Sequence, residues 1–515
     1  MNRFCVFLIA FVLLTQNIIL GTTGYAVESR HVEQWDVFEL KLNGPSAGHP
    51  YLEVNLKADF KNGSRKVTVP GFYDGEGKYI IRFSPHARGT WSYKTESNTP
   101  QLDEKTGSFP CVKPTGNNHG PLKIVNTYYF EYADGAPFYS VGTTAYQWTS
   151  VKQSIQEQTL KTLANAPFNK IRMCVFPKSY RYGNKTEPWA YAYQDINDFD
   201  RPNYTFFQNF DKRIQQLMDL GIQADVILFH PYDKWGYSKM GNENNLRYVR
   251  YMIARISAYR NVWWSLANEW DIPRIKESID WEGIGTLLQN EDPHQRFRGI
   301  HNWYGTEDHF YDHTRPWITH TSTQTSHFHN AIQWREKYHQ PLLFDEMRYE
   351  GDVKSGWGNM SSEEMTSYFW MAGLSGGYGT HGDTYRNASD HETEVRWWAK
   401  GGTLVGKSPE RIAFFKSFME RLPVKEMKPR LVDNGQPKNK KNNVHIFQKE
   451  GEIYLAYVAD ANREISLNLL GEKPYEWQVI DTWNMTIEPK GEVPPGDFRY
   501  QTRNKYEALC LKVKK

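Results

Sequence analysis

Val262-Trp263-Trp264-Ser265-Leu266-Ala267-Asn268-Glu269-Trp270-Asp271 is the stretch that decides the architecture. Its first six residues are almost wholly apolar and aromatic, the pattern of a short strand buried on both faces, as in parallel sheets covered by helices. Just before it, Leu246, Val249, Ile253 and Ile256 recur at helical spacing and would lay one apolar face on such a sheet. The same alternation extends toward the N-terminus. Phe138 to Thr144 reads as a strand, Ile155, Leu160 and Leu163 mark a helix that stops before Pro167, and Lys170 to Phe176 is the next strand. Phe210, Ile214 and Leu217 define a helix closed by Gly221, ahead of a strand at Ile222 to Phe229. Toward the C-terminus the strand candidates are Arg298 to His301, Trp317 to Thr321, Leu342 to Asp345 and Gly377 to Thr380, with a last helix around Ile412 to Phe418. Strands interleaved with helices in this number predict a (β/α)₈ TIM barrel, with a doubly wound open sheet as the alternative.

The period changes on both sides of this region. Upstream, the breaker cluster Thr115-Gly116-Asn117-Asn118-His119-Gly120-Pro121 separates it from a segment of period two, clearest where Leu52, Val54, Leu56, Ala58 and Phe60 alternate with polar residues. Lys78 to Ser84 and Thr90 to Thr95 read as a strand pair there, giving an Ig-like β-sandwich over residues 27–118. The barrel is assigned residues 119–425. Downstream, residues 426–515 read as a small β-sandwich, with strand runs at Val444 to Phe447, Ile453 to Val458, Ile465 to Leu469, Trp477 to Ile480 and Ala508 to Val513, and an exposed turn at residues 438–443.

A length of 515 residues fits two to four domains, and 62 basic against 59 acidic residues leave a net charge of +3, too little to gather nucleic acid or an anionic membrane. Met1 to Ala26 has the basic start, apolar middle and small-residue end of a secretory signal peptide, which predicts a secreted or periplasmic protein with no membrane association beyond the leader. Beyond Cys5 in the leader, Cys111, Cys174 and Cys510 are widely spaced and odd in number, so buried free thiols are expected rather than a disulfide framework. The 18 Trp and 32 Tyr suit stacking on sugar rings, although the same residues fill cores. Nothing in the sequence sets the oligomeric state.

In a TIM barrel the reacting groups lie just after the strands, so the carboxylates at strand ends take priority. Glu269 follows one strand, and Pro341-Leu342-Leu343-Phe344-Asp345-Glu346 places another carboxylate after a second strand three steps later. A pair of carboxyl groups about 5 to 5.5 Å apart, one protonated and one ionised, is what glycosidic cleavage with retention requires. Asn-Glu after the fourth strand and Glu after the seventh resembles the clan of retaining barrel glycosidases that includes cellulases, β-mannanases and β-galactosidases (clan GH-A). The sandwich, barrel and small sandwich in sequence are similar to bacterial glycosidases of that clan. The resemblance implies that Glu269 is the acid/base, Glu346 the nucleophile, and Asn268 the residue holding the sugar's 2-hydroxyl. Asp345 competes with Glu346. If Phe344 faces the outer layer, adjacent positions cannot both face the mouth, and Glu346 is the one at the clan's position.

The resemblance further implies that Arg172, after the second strand, steadies the nucleophile, and that His230, after the third, contacts sugar. His301, Tyr304 and His320 are candidates from the fifth and sixth strand ends, and His381 stands where many relatives carry a tryptophan. Trp148, Trp235, Trp303 and Trp357 are candidate stacking platforms. The loops at residues 177–203 and 231–243 would shape substrate choice. Glycosidic hydrolysis of this kind needs no metal or cofactor, and no His-Glu-x-x-His spacing is present in the sequence. The expected activity is hydrolysis of a poly- or oligosaccharide with retention. The alternatives are a transglycosylase using the same residues, or a carbohydrate-binding surface protein that keeps the barrel without turnover.

Overall fold

The computed structural model describes residues 31–179, 187–386, 397–432 and 443–514. The leader at Met1 to Ala26, residues 180–186 of the loop expected to shape specificity, and most of the turn read at residues 438–443 lie outside the described residues.

The central sheet has eight parallel strands: β1 (Gly142–Thr144), β2 (Lys170–Cys174), β3 (Gln223–Phe229), β4 (Val262–Ala267), β5 (Arg298–Gly299), β6 (Thr321–Gln324), β7 (Leu342–Glu346) and β8 (Tyr378–His381). Their spatial order is β5-β4-β3-β2-β1-β8-β7-β6. The first and last strands of the chain are therefore neighbours, with Gly142 opposite Thr380, which excludes the doubly wound alternative. The remaining seam between β5 and β6 is spanned by the Thr319 N–H donating to the Arg298 carbonyl at 2.9 Å. Helices α1 (Gln153–Leu163), α2 (Tyr204–Asp219), α3 (Asn242–Ile256), α4 (Trp281–Glu291), α5 (Ala331–Tyr338), α6 (Ser362–Leu374) and α7 (Ser408–Met419) cover the outside. Asn203 caps α2 by accepting the Phe206 N–H, and Ser361 with Glu364 forms a capping box on α6.

Two sequence expectations are corrected. The sixth strand lies at Thr321–Gln324 rather than Trp317 to Thr321, because Trp317 packs on the outside against α4 while the polar Ser322 faces inward to donate to Asp345 at 2.5 Å. Lys78 to Ser84 and Thr90 to Thr95 are not partners. The strand Lys78–Phe83 pairs with Phe38–Asn43 and Arg65–Tyr73, whereas Gly89–Ser97 pairs with Leu56–Asn62 and Thr106–Val112. Pro85 and the residues after it carry the chain from Lys78–Phe83 to Gly89–Ser97 within one seven-stranded sheet, in which the long strand Arg65–Tyr73 pairs with both Leu56–Asn62 and Lys78–Phe83.

A hairpin of Leu122–Val125 and Tyr129–Tyr132 closes the barrel floor, its Phe130 ring packed against Trp263, Phe297 and Tyr378. The N-terminal β domain is locked to α2 and α3 by buried charge. Arg82 donates to Asp211 at 2.7 Å and to the Arg255 carbonyl, while Arg255 pairs with Asp211 at 2.6 Å and Asp74 at 2.7 Å. The C-terminal β domain has a six-stranded sheet and a separate two-stranded one. Its Tyr457 stacks on Trp370 of α6 and donates to Ser367 at 2.7 Å. Cys111, Cys174 and Cys510 are buried and free. Among the described residues no helix is long and apolar enough to cross a membrane.

Candidate active site

Beneath the C-terminal mouth the barrel holds charge. Lys170, on β2, reaches Asp225 at 2.8 Å and Asp345 at 2.7 Å, all three side chains fully buried. Burial alone would raise the Asp345 carboxyl, but the charges of Lys170 and Arg172 outweigh it and hold the group well below the usual carboxylate range. Asp345 is thus a fixed anion of the interior. A register shift opposite it, where Thr323 pairs with Phe344 and the next residue, Gln324, pairs with Glu346, makes a β-bulge. With that bulge the two adjacent carboxylates do not share the mouth: Asp345 meets Lys170 inside the barrel, while Glu346 lines the pocket. Phe344 does face the outer layer, against Phe328 and Trp334.

Glu346 is held from two sides. The Arg172 guanidinium donates to its Oε1 at 3.2 Å and to Asn268 Oδ1 at 3.3 Å. The Tyr146 hydroxyl, on the loop after β1, donates to the same carboxylate oxygen, and the Tyr349 hydroxyl lies 3.3 Å from that of Tyr146. Gly382, just past β8, lies so close to the Tyr349 ring that a Cβ would displace it.

Glu269 sits differently. Its backbone takes φ 61, a left-handed conformation that costs a non-glycine residue about 1 to 3 kcal/mol and is held only where the surroundings enforce it. Its Oε2 is buried without a hydrogen-bond partner. Burial and the nearby Glu346 charge push its carboxyl up to about 8, against the downward pull of Lys178, a hydrogen bond from Tyr232, and Arg172. Lys178 is itself buried, its Nζ 3.6 Å from the Tyr146 ring centre and 4.6 Å from that of Tyr232.

Both glutamates line one pocket of about 540 Å³, with Tyr146, Lys178, Tyr232 and Asn268 around them and Trp303, Tyr304, Trp357 and Trp398 among its walls. Of the sequence candidates, the structure brings together Glu269, Glu346, Asn268, Trp303, Tyr304 and Trp357, with Arg172 buried directly behind Glu346. The others lie elsewhere. His230 donates to the Phe176 carbonyl and accepts the Tyr232 N–H, so it braces the turn that carries Tyr232. His301 is buried with its Nε2 4.0 Å from Glu346, behind the pocket wall. His320 packs inside the barrel against Trp263. Strand alternation sends Thr380 inward to Asp345 and His381 to the other face, stacked on Phe168 with Nε2 3.6 Å from Glu350. Trp148 is fully buried in the barrel core, and Trp235 packs on Tyr191 and Tyr237 away from the pocket.

Sequence reasoning missed Tyr146, Lys178, Tyr232, Tyr349 and Trp398. The first three follow strands β1, β2 and β3 by two to four residues, so the rule that singled out Glu269 would have found them. Trp398 comes from a short helix, Trp397–Lys400, well beyond β8, and no local signal marks it. It forms an aromatic wall of the pocket, packing 4.9 Å from the Trp357 ring centre.

Comparison with known proteins followed the same three-part division. A family model described as the apiosidase-like catalytic domain matches residues 125–426, and two domains of unknown function, DUF5060 and DUF5605, match residues 31–98 and 443–511. Among curated proteins nothing matches the chain. A crystal structure from Bacteroides vulgatus, described as a candidate glycoside hydrolase, is 34% identical, with 94% of this chain and all of that one covered and a TM-score of 0.84. A family 5 glycoside hydrolase from the same organism, at 15% identity and TM-score 0.61 over 77% of this chain and 94% of that one, shares the fold. So does a further glycoside hydrolase structure at 14% identity and TM-score 0.62, over 77% of this chain and 98% of that one.

Proposed function

The chain belongs to the family of apiosidase-like catalytic domains, and from that premise we propose that it is a glycosidase working with retention of configuration, Glu269 as acid/base and Glu346 as nucleophile. The observation that carries the reading is the unlike setting of two carboxyls in one pocket: Glu269 raised to about 8 with an oxygen unpartnered, Glu346 held by Arg172 and Tyr146. Near neutral pH, Glu269 therefore carries its proton and Glu346 is the oxygen nucleophile.

In the first step a Glu346 oxygen attacks the anomeric carbon as the bond to the leaving oxygen breaks, and that oxygen takes the proton of Glu269. The product is a glycosyl ester of Glu346. In the second step Glu269, now a carboxylate, takes a proton from water, and the water oxygen displaces Glu346 from the anomeric carbon. The Tyr146 and Arg172 donors keep the attacking carboxylate in place in both steps. With Asn268 Oδ1 engaged by Arg172, its amide nitrogen is the group offered to the sugar's 2-hydroxyl. Trp357 and Trp398 offer ring faces to the same sugar. Export through the leader at Met1 to Ala26, to the periplasm or outside a bacterial cell, is part of this proposal, and a carbohydrate is the substrate.

Hydrolysis of a panel of plant and microbial polysaccharides and aryl glycosides tests it, with Glu269→Ala and Glu346→Ala beside the parent and the anomer first released followed by NMR. Activity that falls by about a thousandfold or more in both variants, with configuration kept, is the expected result. Activity untouched by either change, or inverted product, contradicts it.

A further inference from the structure

Six of the pocket's aromatic residues fall into two sets, each tied to a different carboxylate. Tyr146, Tyr349, Trp357 and Trp398 form a connected group on the Glu346 side: the Tyr146 hydroxyl meets Glu346, Tyr349 meets Tyr146, and the Trp398 ring packs on Tyr146, Tyr349 and Trp357. Trp303 and Tyr304 belong to Glu269. The Trp270 N–H, one residue past Glu269, donates to the His301 carbonyl at 3.0 Å. One residue further, the buried Asp271 carboxylate accepts the Trp303 N–H at 2.5 Å and the Tyr304 N–H at 3.4 Å, and lies 3.2 Å from His309 Nδ1. Asn302 completes the tie by donating to the Tyr304 carbonyl at 2.6 Å. Two loops that end adjacent strands are thereby joined into one unit, and that unit presents two large aromatic side chains, 44% and 54% exposed, at the edge of the pocket.

The adjacent Trp303 and Tyr304 rings form a contiguous, partly exposed aromatic patch at the pocket edge, on a firmly held backbone, and such a patch suits covering by a ligand. We infer that Trp303 and Tyr304 form the leaving-group subsite, a platform for a sugar ring or other flat apolar-faced leaving group, and that Asp271 is the residue that positions this platform relative to Glu269. The inference rests on the glycosidase reading above. Its logic is geometric: the acid must reach the oxygen that joins the two halves of the substrate, so groups fastened to the acid's own turn meet the half that departs, whereas groups fastened to the nucleophile meet the half that stays. Asp271 acts through the loop and touches neither half.

The test compares kcat/KM for two substrates of the sugar that the parent cleaves: its best aryl glycoside and the corresponding glycosyl fluoride, whose leaving group has no ring to stack and needs no proton. In the doubly exposed variant Trp303→Ala with Tyr304→Ala, the ratio of aryl to fluoride kcat/KM should fall about tenfold or more, the scale of two lost ring contacts. Asp271→Ala should lower the same ratio, and Asp271→Asn, which keeps an oxygen to accept the Trp303 N–H, should restore most of it. A ratio unchanged in the Trp303/Tyr304 variant, or parallel losses on both substrates, overturns the assignment of the subsite. A parent that cleaves neither class of substrate overturns the glycosidase reading itself, and the subsite with it.

Discussion

Replacing Lys178 with methionine should move the alkaline limit of activity upward. Lys178 lies in the pocket wall with its ammonium between the Tyr146 and Tyr232 rings, and methionine fills a comparable space without the charge. The Glu269 carboxyl stands at about 8 because burial and the Glu346 charge raise it further than Lys178, Tyr232 and Arg172 lower it, and Lys178 is the strongest of the three downward influences. A charge at close range moves a carboxyl by about 1 to 3 units. The lower end applies here because the pocket opens to water, so the alkaline midpoint should rise by about one unit in the variant. The assay is kcat/KM from pH 5 to 10, which reports the groups of the free enzyme. Lys178→Arg, which keeps the charge, should stay near the parent. An alkaline limb that does not move in Lys178→Met, or moves to lower pH, would refute the argument that this cation sets the acid's proton affinity.

Tyr146→Phe removes the hydroxyl held on Glu346 and should lower kcat about 10- to 100-fold while KM changes little, since the lost contact supports the nucleophile rather than ground-state binding; a change confined to KM would argue against that role. Asp211→Ala leaves the buried guanidiniums of Arg82 and Arg255 short of their shared counter-ion and should destabilise the protein by about 3 to 5 kcal/mol in urea unfolding; a loss below about 1 kcal/mol would show that the domains are not locked this way. Acid should destabilise the fold before ordinary carboxylates titrate. Burial holds His230 and His320 at about 4 and His313 and His445 at about 3, so between pH 6.5 and about 4 the unfolded chain binds protons that the folded one refuses, and stability falls as pH drops. Glu269 and Asp383, raised instead of lowered, work in the opposite direction, but they are outnumbered by the buried histidines, to which His294 and His301 also belong. Melting temperature should decline steadily from pH 7 to 4.5, and a flat or rising profile would contradict these histidine environments.

The barrel was legible because its strands are short apolar runs with polar ends: β4 lies at Val262–Ala267 as read, and both carboxylates stand where those runs stop. The sixth strand was not legible, since Thr321-Ser322-Thr323-Gln324 is polar yet buried, its Ser322 serving the ion cluster rather than an apolar core. Aromatic identity said nothing about which side of the wall a ring occupies. Trp148 and Trp303 look alike in sequence, but one is fully buried in the barrel core and the other is nearly half exposed at the pocket rim. Histidines at strand ends misled for a related reason: His320 and His381 occupy inner and outer faces of the barrel wall, where alternation and packing, not residue type, decide whether a ring reaches the mouth. In the C-terminal domain the strands Thr486–Val493 and Gly496–Gln501 went unread because their residues are mostly exposed and carry little apolar alternation.

The central claim is that Glu346 becomes bonded to the sugar while Glu269 handles the proton. The most direct measurement is peptide mass spectrometry of the protein after reaction with a 2-deoxy-2-fluoro glycoside of the sugar it cleaves, a reagent that slows release of the glycosyl ester. One sugar mass on Glu346, absent from Asp345 and Glu269, is the predicted result. A label on any other residue, or turnover of the reagent with inverted product and no label at all, would contradict the account.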